Sequence, residues 1–519
     1  MSAPMGSLPR LRSHIAGAWV DGTGAVSTLI DPSTEAPVAE LASGVDVAVA
    51  LTYARTIGGP ALRTLTYKQR GELCGSLAKL IHERRDELIG LAMANGGNTR
   101  GDAKFDIDGA SGTLQSYAEL GASLGDVTLL ADGDAIQLGR APRVAGQHVY
   151  APRRGVAVHI NAFNFPAWGT AEKLACSLVA GVPVISKPAT ATAHVAHRIV
   201  ELAVEAKLLP AGAVQLLLGS VGDLLDRLAP EDVLAFTGSG DTAAKLRGHE
   251  AFVRRGTRIN VEADSLNSVV LGPDVEPGTP TWDLFVNEIA KDITQKTGQK
   301  CTAVRRVIAP AARMSDVEEV LREKLGAVKV GDPRQDDVTM GPLATAEQKK
   351  SVTAGVKLLA GESRVVFEGS APSGKGFFQA PVLLRQDEPA KAKAVHAHEV
   401  FGPVSTLMPH AGADDAAAIV ARGEGSLVVS IYADDRAFLG AAIAAIAPTT
   451  GRVYVGSAKV AGQTFGPGTV LPTLVHGGPG RAGSGEELGG RRGLALYQQR
   501  TALQGDRALL DALVGRTAT

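Results

Sequence analysis

VAVHI (156–160), VPVIS (182–186), AVQLLL (213–218), VLAFT (233–237) and RINVE (258–262) are five short apolar runs, and their spacing decides the fold. Helix-like stretches separate them, among them HVAHRIVELAVEAKLL (194–209) and DTAAKLRGHEAF (241–252). Strands spaced by roughly 20–30 residues with helices between them are βαβ units, and right-handed crossovers then build a parallel sheet. The runs before RINVE are largely continuous in apolar residues, so both faces of that sheet are expected to be covered. A ligand on such a sheet belongs in the crevice beyond the carboxyl ends of the strands.

A second α/β set follows Asn267. SVVL (268–271), VRRVI (304–308), RVVF (364–367) and SLVVSIYA (426–433) alternate with helices predicted near 282–297, 314–328, 345–360 and 413–422. No Pro/Ser-rich linker divides the two sets, which predicts two lobes over a shared cleft, a common place for a small-molecule site. Upstream, residues 67–93 read as one amphipathic helix, with Leu73, Leu77, Leu80, Ile81, Leu88 and Leu91 at helical spacing. Residues 135–150 read as two short strands around a Pro/Gly turn.

Composition narrows the function. The 519 residues carry 53 Lys+Arg against 54 Asp+Glu, a net charge of −1, which gives no electrostatic reason to bind nucleic acid or an anionic membrane. The 61 glycines exceed the roughly 7% of average proteins and suit many tight strand–helix turns. Three cysteines are too few for a disulfide scaffold and point to a reducing compartment, by default the cytoplasm. The opening MSAPMGSLPRLRSHIAG has no apolar core, so no secretory signal is expected. The longest apolar stretch, Leu174 to Ile185, is interrupted by Ser177, Gly181 and Pro183 and is too short to span a bilayer.

The thiols differ in context. Cys74 falls near the apolar face of the first helix and Cys176 in LACSLVAG, and both read as small core residues. Cys301 sits in TGQKCTAVRR, a polar turn with cations in sequence, where access and thiolate character would suit a nucleophile. GSGDTA (238–243) follows a strand and opens a helix, the setting of a dinucleotide-binding turn. In that reading Glu262 would hold a ribose. A tight turn needing only small residues explains the same string. Lys187, at a strand end before a helix, suits an anionic cofactor or plain solvation. The eleven histidines show no metal-ligand spacing, so no metal site is expected. No phosphate-binding lysine loop of the form G-x-x-x-x-G-K-[ST] is present.

Taken in order, FNFP (163–166), KPA (187–189), FTGS (236–239), NVEAD (260–264), GQKCT (298–302) and HEVFGPV (398–404) resemble the aldehyde dehydrogenase superfamily, from about His14 to the C-terminus. The resemblance implies a Rossmann-like parallel-sheet cofactor domain (1–135 and 156–266) and an α/β catalytic domain (267–475). A small β oligomerisation element and tail (136–155 and 476–519) would make a homodimer or homotetramer. It implies Cys301 as the nucleophile that forms a thiohemiacetal and then a thioester, and Asn164 as an oxyanion donor beside the Cys301 N–H. Glu262 becomes the base for hydrolysis rather than a ribose ligand, since a thioester needs a base and no histidine is expected there. Lys173 and Glu487 match positions linked to proton relay. Relatives that pass the acyl group to coenzyme A lack the acid at Glu262, so water is the expected acceptor.

For the coenzyme, the resemblance assigns Lys187 to the adenosine ribose, Gly238 and Ser239 to the pyrophosphate turn, and Glu399 and Phe401 to the nicotinamide ribose. NAD-preferring relatives carry a Glu where this chain has Thr190. Without that carboxylate a 2′-phosphate is not repelled, so NADP is expected, with NAD weaker. A second glycine common after FTGS is replaced near Ala243. The aromatic of the usual Phe-Gly-Gly segment is replaced by His476 in VHGGPG, and with Trp168 it is expected to line the substrate tunnel. HINAFNFPAWGTAEKLACSLVAGVPVISKPAT and NVEADSLNS look closest to the branch acting on CoA-linked semialdehydes in aromatic-compound degradation. The match stops with the dehydrogenase, which favours that branch's single-function members over those with an added hydratase domain. No basic cluster reads as a CoA phosphate site. Free aliphatic or aromatic aldehydes are the alternative substrates. A cofactor-independent cysteine thioesterase would also use Cys301, with His as its usual base. A structural relative would keep only the fold.

Overall fold

In the computed structural model, which describes residues 8–515, all five apolar runs are strands of one seven-stranded sheet. The first seven residues of the opening stretch and the last four of the tail lie outside the described residues. The strand order is Arg258–Glu262, Val233–Thr237, Ala157–Ile160, Val184–Lys187, Val214–Leu216, Ser13–Ile15 and Ala18–Val20. The five predicted strands run parallel, and the two N-terminal ones close the edge antiparallel. Register sets Thr237 beside Glu262 and Ile160 beside Lys187, so these chain positions end at one rim of the sheet.

The second lobe is also a seven-stranded sheet: Arg364–Glu368, Val382–Arg385, Val404–His410, Arg306–Pro310, Ser268–Leu271, Ser426–Tyr432 and Thr450–Gly456. It is parallel except for its outer strand Arg364–Glu368. Leu130–Gln137, Val144–Pro152 and Gln498–Asp506 form a separate antiparallel sheet of three. The intervening C-terminal stretch instead makes a hairpin, Val475–Gly478 with Gly485–Leu488, that packs on strand Arg258–Glu262. Among the described residues, no helix is long and apolar enough to cross a membrane.

Three expectations need correction. The helix read over 67–93 is two, Tyr67–Glu83 and Arg85–Gly96, broken at Arg84 (φ −102°, ψ 17°). The first packs mainly on Trp168–Ala180 and the second on Ala193–Glu205. The strand read from Val304 begins at Arg306, because the amides of Val304 and Arg305 are already held by the Asp292 carboxylate and the Asn267 carbonyl. The helix read over 282–297 ends at Thr294. Lys296, Thr297 and Gly298 are left-handed (φ 52°, 56° and 67°), a turn that reverses the chain into Cys301.

The longest helix, Arg100–Leu124, carries glycines that obscure it in sequence. One of them serves packing: a Cβ on Gly109 would lie 2.1 Å from the Trp168 ring. Its buried Asp106 accepts from the amides of Trp168 (2.8 Å) and Ala167 (3.3 Å), and so caps helix Trp168–Ala180. That helix brings Glu172 and Lys173 to the cleft. Cys74 and Cys176 are buried, as expected of core thiols.

Candidate active site

Three chain segments converge on one sulfur. The left-handed turn delivers Cys301, strand Arg258–Glu262 ends in Glu262, and the C-terminal hairpin presents His476. They line a cavity enclosing about 500 Å³ with Asn164, Trp168, Lys173 and Thr237. Gly298 is required in the turn. A Cβ there would meet the Gly402 carbonyl at 2.2 Å, and φ is already positive. Arg305 binds the carbonyls of Gly298, Lys300 and Gly402, and Asn267 donates to the carbonyls of Cys301 (2.7 Å) and Ala303 (3.0 Å). The nucleophile loop is therefore fixed from both sides.

The cations beside Cys301 in sequence do not face its sulfur. Lys300 is buried on Asp292, Arg305 pairs with Glu399, and Arg306 binds His396 and backbone carbonyls. Helical and turn geometry sends neighbours in sequence to opposite sides. The group that meets the sulfur is His476, its Nε2 3.8 Å from Sγ and 3.2 Å from Glu262 Oε2. The expectation that no histidine stands by the thioester is corrected here. Burial would raise the Glu262 carboxyl, but His476 and then Lys173 outweigh it and hold it near about 2. Burial would lower His476, yet Glu262 and Cys301 keep it well above its ordinary value. Burial and the Glu262 charge push the Cys301 thiol up to about 11, against the pull of His476.

Asn164 donates one amide hydrogen to the Gln299 carbonyl (3.1 Å), which orients the group and leaves its second N–H for the cavity. Trp168 lines the cavity with its indole N–H held by Thr113 (3.0 Å). Lys173, fully buried, bridges Glu172 (3.3 Å) and Glu487 (3.1 Å), whose other oxygen accepts from Asn260. Burial pushes Glu172 up to about 7, and the three carboxylates around Lys173 more than offset its own burial. Glu172 was not singled out from sequence, although it adjoins Lys173.

Two carboxylate-rich groups have donor atoms within 4.8 Å of one another: Glu262 with Cys301 and His476, and Glu172 with Glu262 and Glu487. The Lys173 ammonium supplies positive charge to the second. In the first, the Glu262–His476 ion pair does so. Both are assembled from segments far apart in the chain, where no ligand spacing could reveal them.

The coenzyme residues lie along the same rim. Ser239 caps helix Gly240–Arg247, and the Gly238 amide bonds the Glu262 carbonyl. Ala243 is buried inside that helix, so the turn tolerates it. Thr237 Oγ1 is buried without a partner beside this turn. Lys187 is half-buried at its strand end and Thr190 begins a short 3₁₀ turn. Burial alone acts on Lys187, lowering it, with no counter-charge. An unpaired hydroxyl and an uncompensated ammonium beside a helix N-terminus fit a polar, anionic coenzyme. Glu399 accepts from the Ser265 amide (2.9 Å) and Arg305 (3.2 Å), and burial holds it up to about 7. Phe401 stacks under Arg305 and meets Phe163 edge-on.

The profile of the Aldehyde dehydrogenase family matches residues 19–502. The chain belongs to that family. This aldehyde dehydrogenase is 47% identical, over 478 residues, to 3,4-dehydroadipyl-CoA semialdehyde dehydrogenase of Aromatoleum evansii, covering 91% of this chain and 93% of that one. It is 28% identical over 391 residues to alpha-ketoglutaric semialdehyde dehydrogenase of Bacillus subtilis, with 72% and 75% covered. Among solved structures, PnpE from Pseudomonas sp. WBC-3 superposes with a TM-score of 0.84 at 24% identity, over 96% of this chain and 98% of that one. Betaine aldehyde dehydrogenase from Staphylococcus aureus gives 0.82 at 22%, over 96% and 97%. These two share the fold.

Proposed function

We propose that this aldehyde dehydrogenase oxidises a CoA-linked semialdehyde, of the 3,4-dehydroadipyl-CoA type, to its carboxylic acid with NADP. The work falls in aromatic-compound degradation in the cytoplasm. The observation that carries the substrate is the 47% identity across nine-tenths of both chains to an enzyme named for that semialdehyde. For the coenzyme it is Thr190, which puts no carboxylate near Lys187 to repel a 2′-phosphate.

The residues support a covalent route. Cys301 attacks the aldehyde carbon, forming a C–S bond while the carbonyl electron pair moves to oxygen. The free Asn164 N–H and the Cys301 N–H face that oxyanion. A donor of this kind is worth about 3 kcal/mol of transition-state stabilisation. When bound, the nicotinamide supplies the hydride acceptor. Glu262 takes a proton from the water that attacks the thioester, the C–S bond breaks, and the sulfur leaves as thiolate. Lys187, Gly238, Ser239, Glu399 and Phe401 hold the coenzyme.

Absorbance of the reduced nicotinamide tests the reading. CoA-thioester semialdehydes are expected to give kcat/KM at least ten times that of free medium-chain aldehydes, and NADP faster initial rates than NAD at equal subsaturating concentration. Higher rates with NAD would overturn the Thr190 argument. Acid release without nicotinamide turnover would favour a thioesterase.

A further inference from the structure

His476 does more than line the tunnel. Its Nε2 is the atom that faces both the Cys301 sulfur (3.8 Å) and the Glu262 carboxylate (3.2 Å), and its side chain is buried, 5% exposed. A ring that merely shaped the tunnel would have no reason to turn one nitrogen toward both reacting groups. We propose that His476 is a catalytic residue of the first step, its imidazolium, anchored on Glu262, passing the thiol proton and holding the sulfur as a thiolate for attack.

The step balances at that nitrogen. The Nε2–H proton passes to water in the cavity and the Sγ–H proton to Nε2. The sulfur is left as thiolate, the ring keeps its charge and Glu262 stays a carboxylate throughout. The thiolate then forms the C–S bond. Glu262 is therefore still ionised when the thioester needs a base, and its carboxylate lies within 4.8 Å of those of Glu172 and Glu487. The Glu262–His476 pair sits in a network whose members are named by what packs around the ring. Glu262 comes from the cofactor sheet, Cys301 from the turn, Glu172 and Lys173 from helix Trp168–Ala180, and Glu487 stands opposite His476 in the hairpin. The buried Arg452 lies nearby but spends its N–H groups on the carbonyls of Pro467 and Thr469. Among the described residues no other cation is directed at the sulfur.

This inference rests on the covalent reading above, but its test needs neither aldehyde nor coenzyme. Cys74 and Cys176 are buried, so iodoacetamide should add one adduct to the native enzyme, at Cys301, and intact-mass spectrometry follows its rate from pH 5 to 10. His476→Phe is expected to move the midpoint of that profile at least one unit toward alkali and to slow alkylation at pH 7 about tenfold or more. His476→Gln keeps an N–H donor without a charge and should shift the profile in the same direction. Either variant still folds if its melting temperature and circular dichroism stay near those of the wild type. Should one variant fail to fold, the other decides. A folded variant with the wild-type profile would overturn the role. Failure of the dehydrogenase assay with the shift intact would instead count against the substrate and coenzyme reading.

Discussion

At the scale of single residues, the site is a chain of charges, and its parts separate by what each removal leaves behind. Cys301→Ser keeps the shape but lowers nucleophilicity. Turnover is expected to fall at least a thousandfold while NADP still quenches protein fluorescence with wild-type affinity. Full oxidation by that variant would end the covalent reading. Glu262→Gln loosens the anchor of His476 and withholds the base for hydrolysis, so NADPH should appear more slowly than in the wild type and stop at one equivalent per active site, with acyl-enzyme visible by mass. The Glu262–His476 pair also sets a pH window for stability. Glu262 is held at about 2 against an ordinary 4.5, so its contribution is present above pH 4.5 and fades as pH falls toward 2. His476 is raised above 6.5, so its share is full below 6.5 and is lost only as pH rises through its higher folded value. The gap in urea midpoint between wild type and His476→Phe should therefore narrow as pH drops from 4.5 to 2. A gap that stays constant over that range would show that the charges are not coupled.

Secondary-structure elements carry these residues to one point, and here sequence and structure can be compared directly. Strands 157–160 and 233–237 were legible because both faces are largely buried, so nearly every residue is apolar, whereas 258–262 alternates polar and apolar residues. Helix Arg100–Leu124 was not, since glycines needed to approach Trp168 and helix Tyr67–Glu83 erase its apolar periodicity. Of the site, Cys301, Glu262 and Asn164 stand in ordered motifs, whereas His476 lies 175 residues from the sulfur it meets, beyond the reach of any spacing rule. Asn267 shows how elements hold the nucleophile. Fully buried at the start of strand Ser268–Leu271, it donates to Cys301 and Ala303 and accepts from Ser265 and Val428. Asn267→Ala orphans several buried partners, each worth about 1–3 kcal/mol. It should lower the urea unfolding free energy by at least about 3 kcal/mol and reduce kcat more than KM, because the turn loses its fixed angle. Asn267→Asp, which accepts but cannot donate, should restore little of either.

For the whole molecule, the three-stranded sheet is separate from the two large sheets, with Leu130–Gln137 and Gln498–Asp506 as its outer strands. Around them the surface is apolar in a way that a lone enzyme has no need of. Ile136 is 56% exposed, Leu509 68% and Leu513 56%, the last two on the short helix Arg507–Leu513 that follows the edge strand. The sheet that the resemblance assigns to oligomerisation thus carries an exposed apolar rim, which suits a homodimer or homotetramer. Light scattering coupled to size exclusion is expected to give at least twice the 53.5 kDa chain mass. The double variant Leu509→Asp with Leu513→Asp places charge on that rim and should shift the distribution toward monomer at micromolar concentration. Because Ile136, Leu509 and Leu513 do not line the Cys301 cavity, the alkylation profile of the monomer should match that of the assembly. A wild-type enzyme that runs as a monomer at all concentrations would remove the oligomerisation reading of this sheet while leaving the catalytic argument intact.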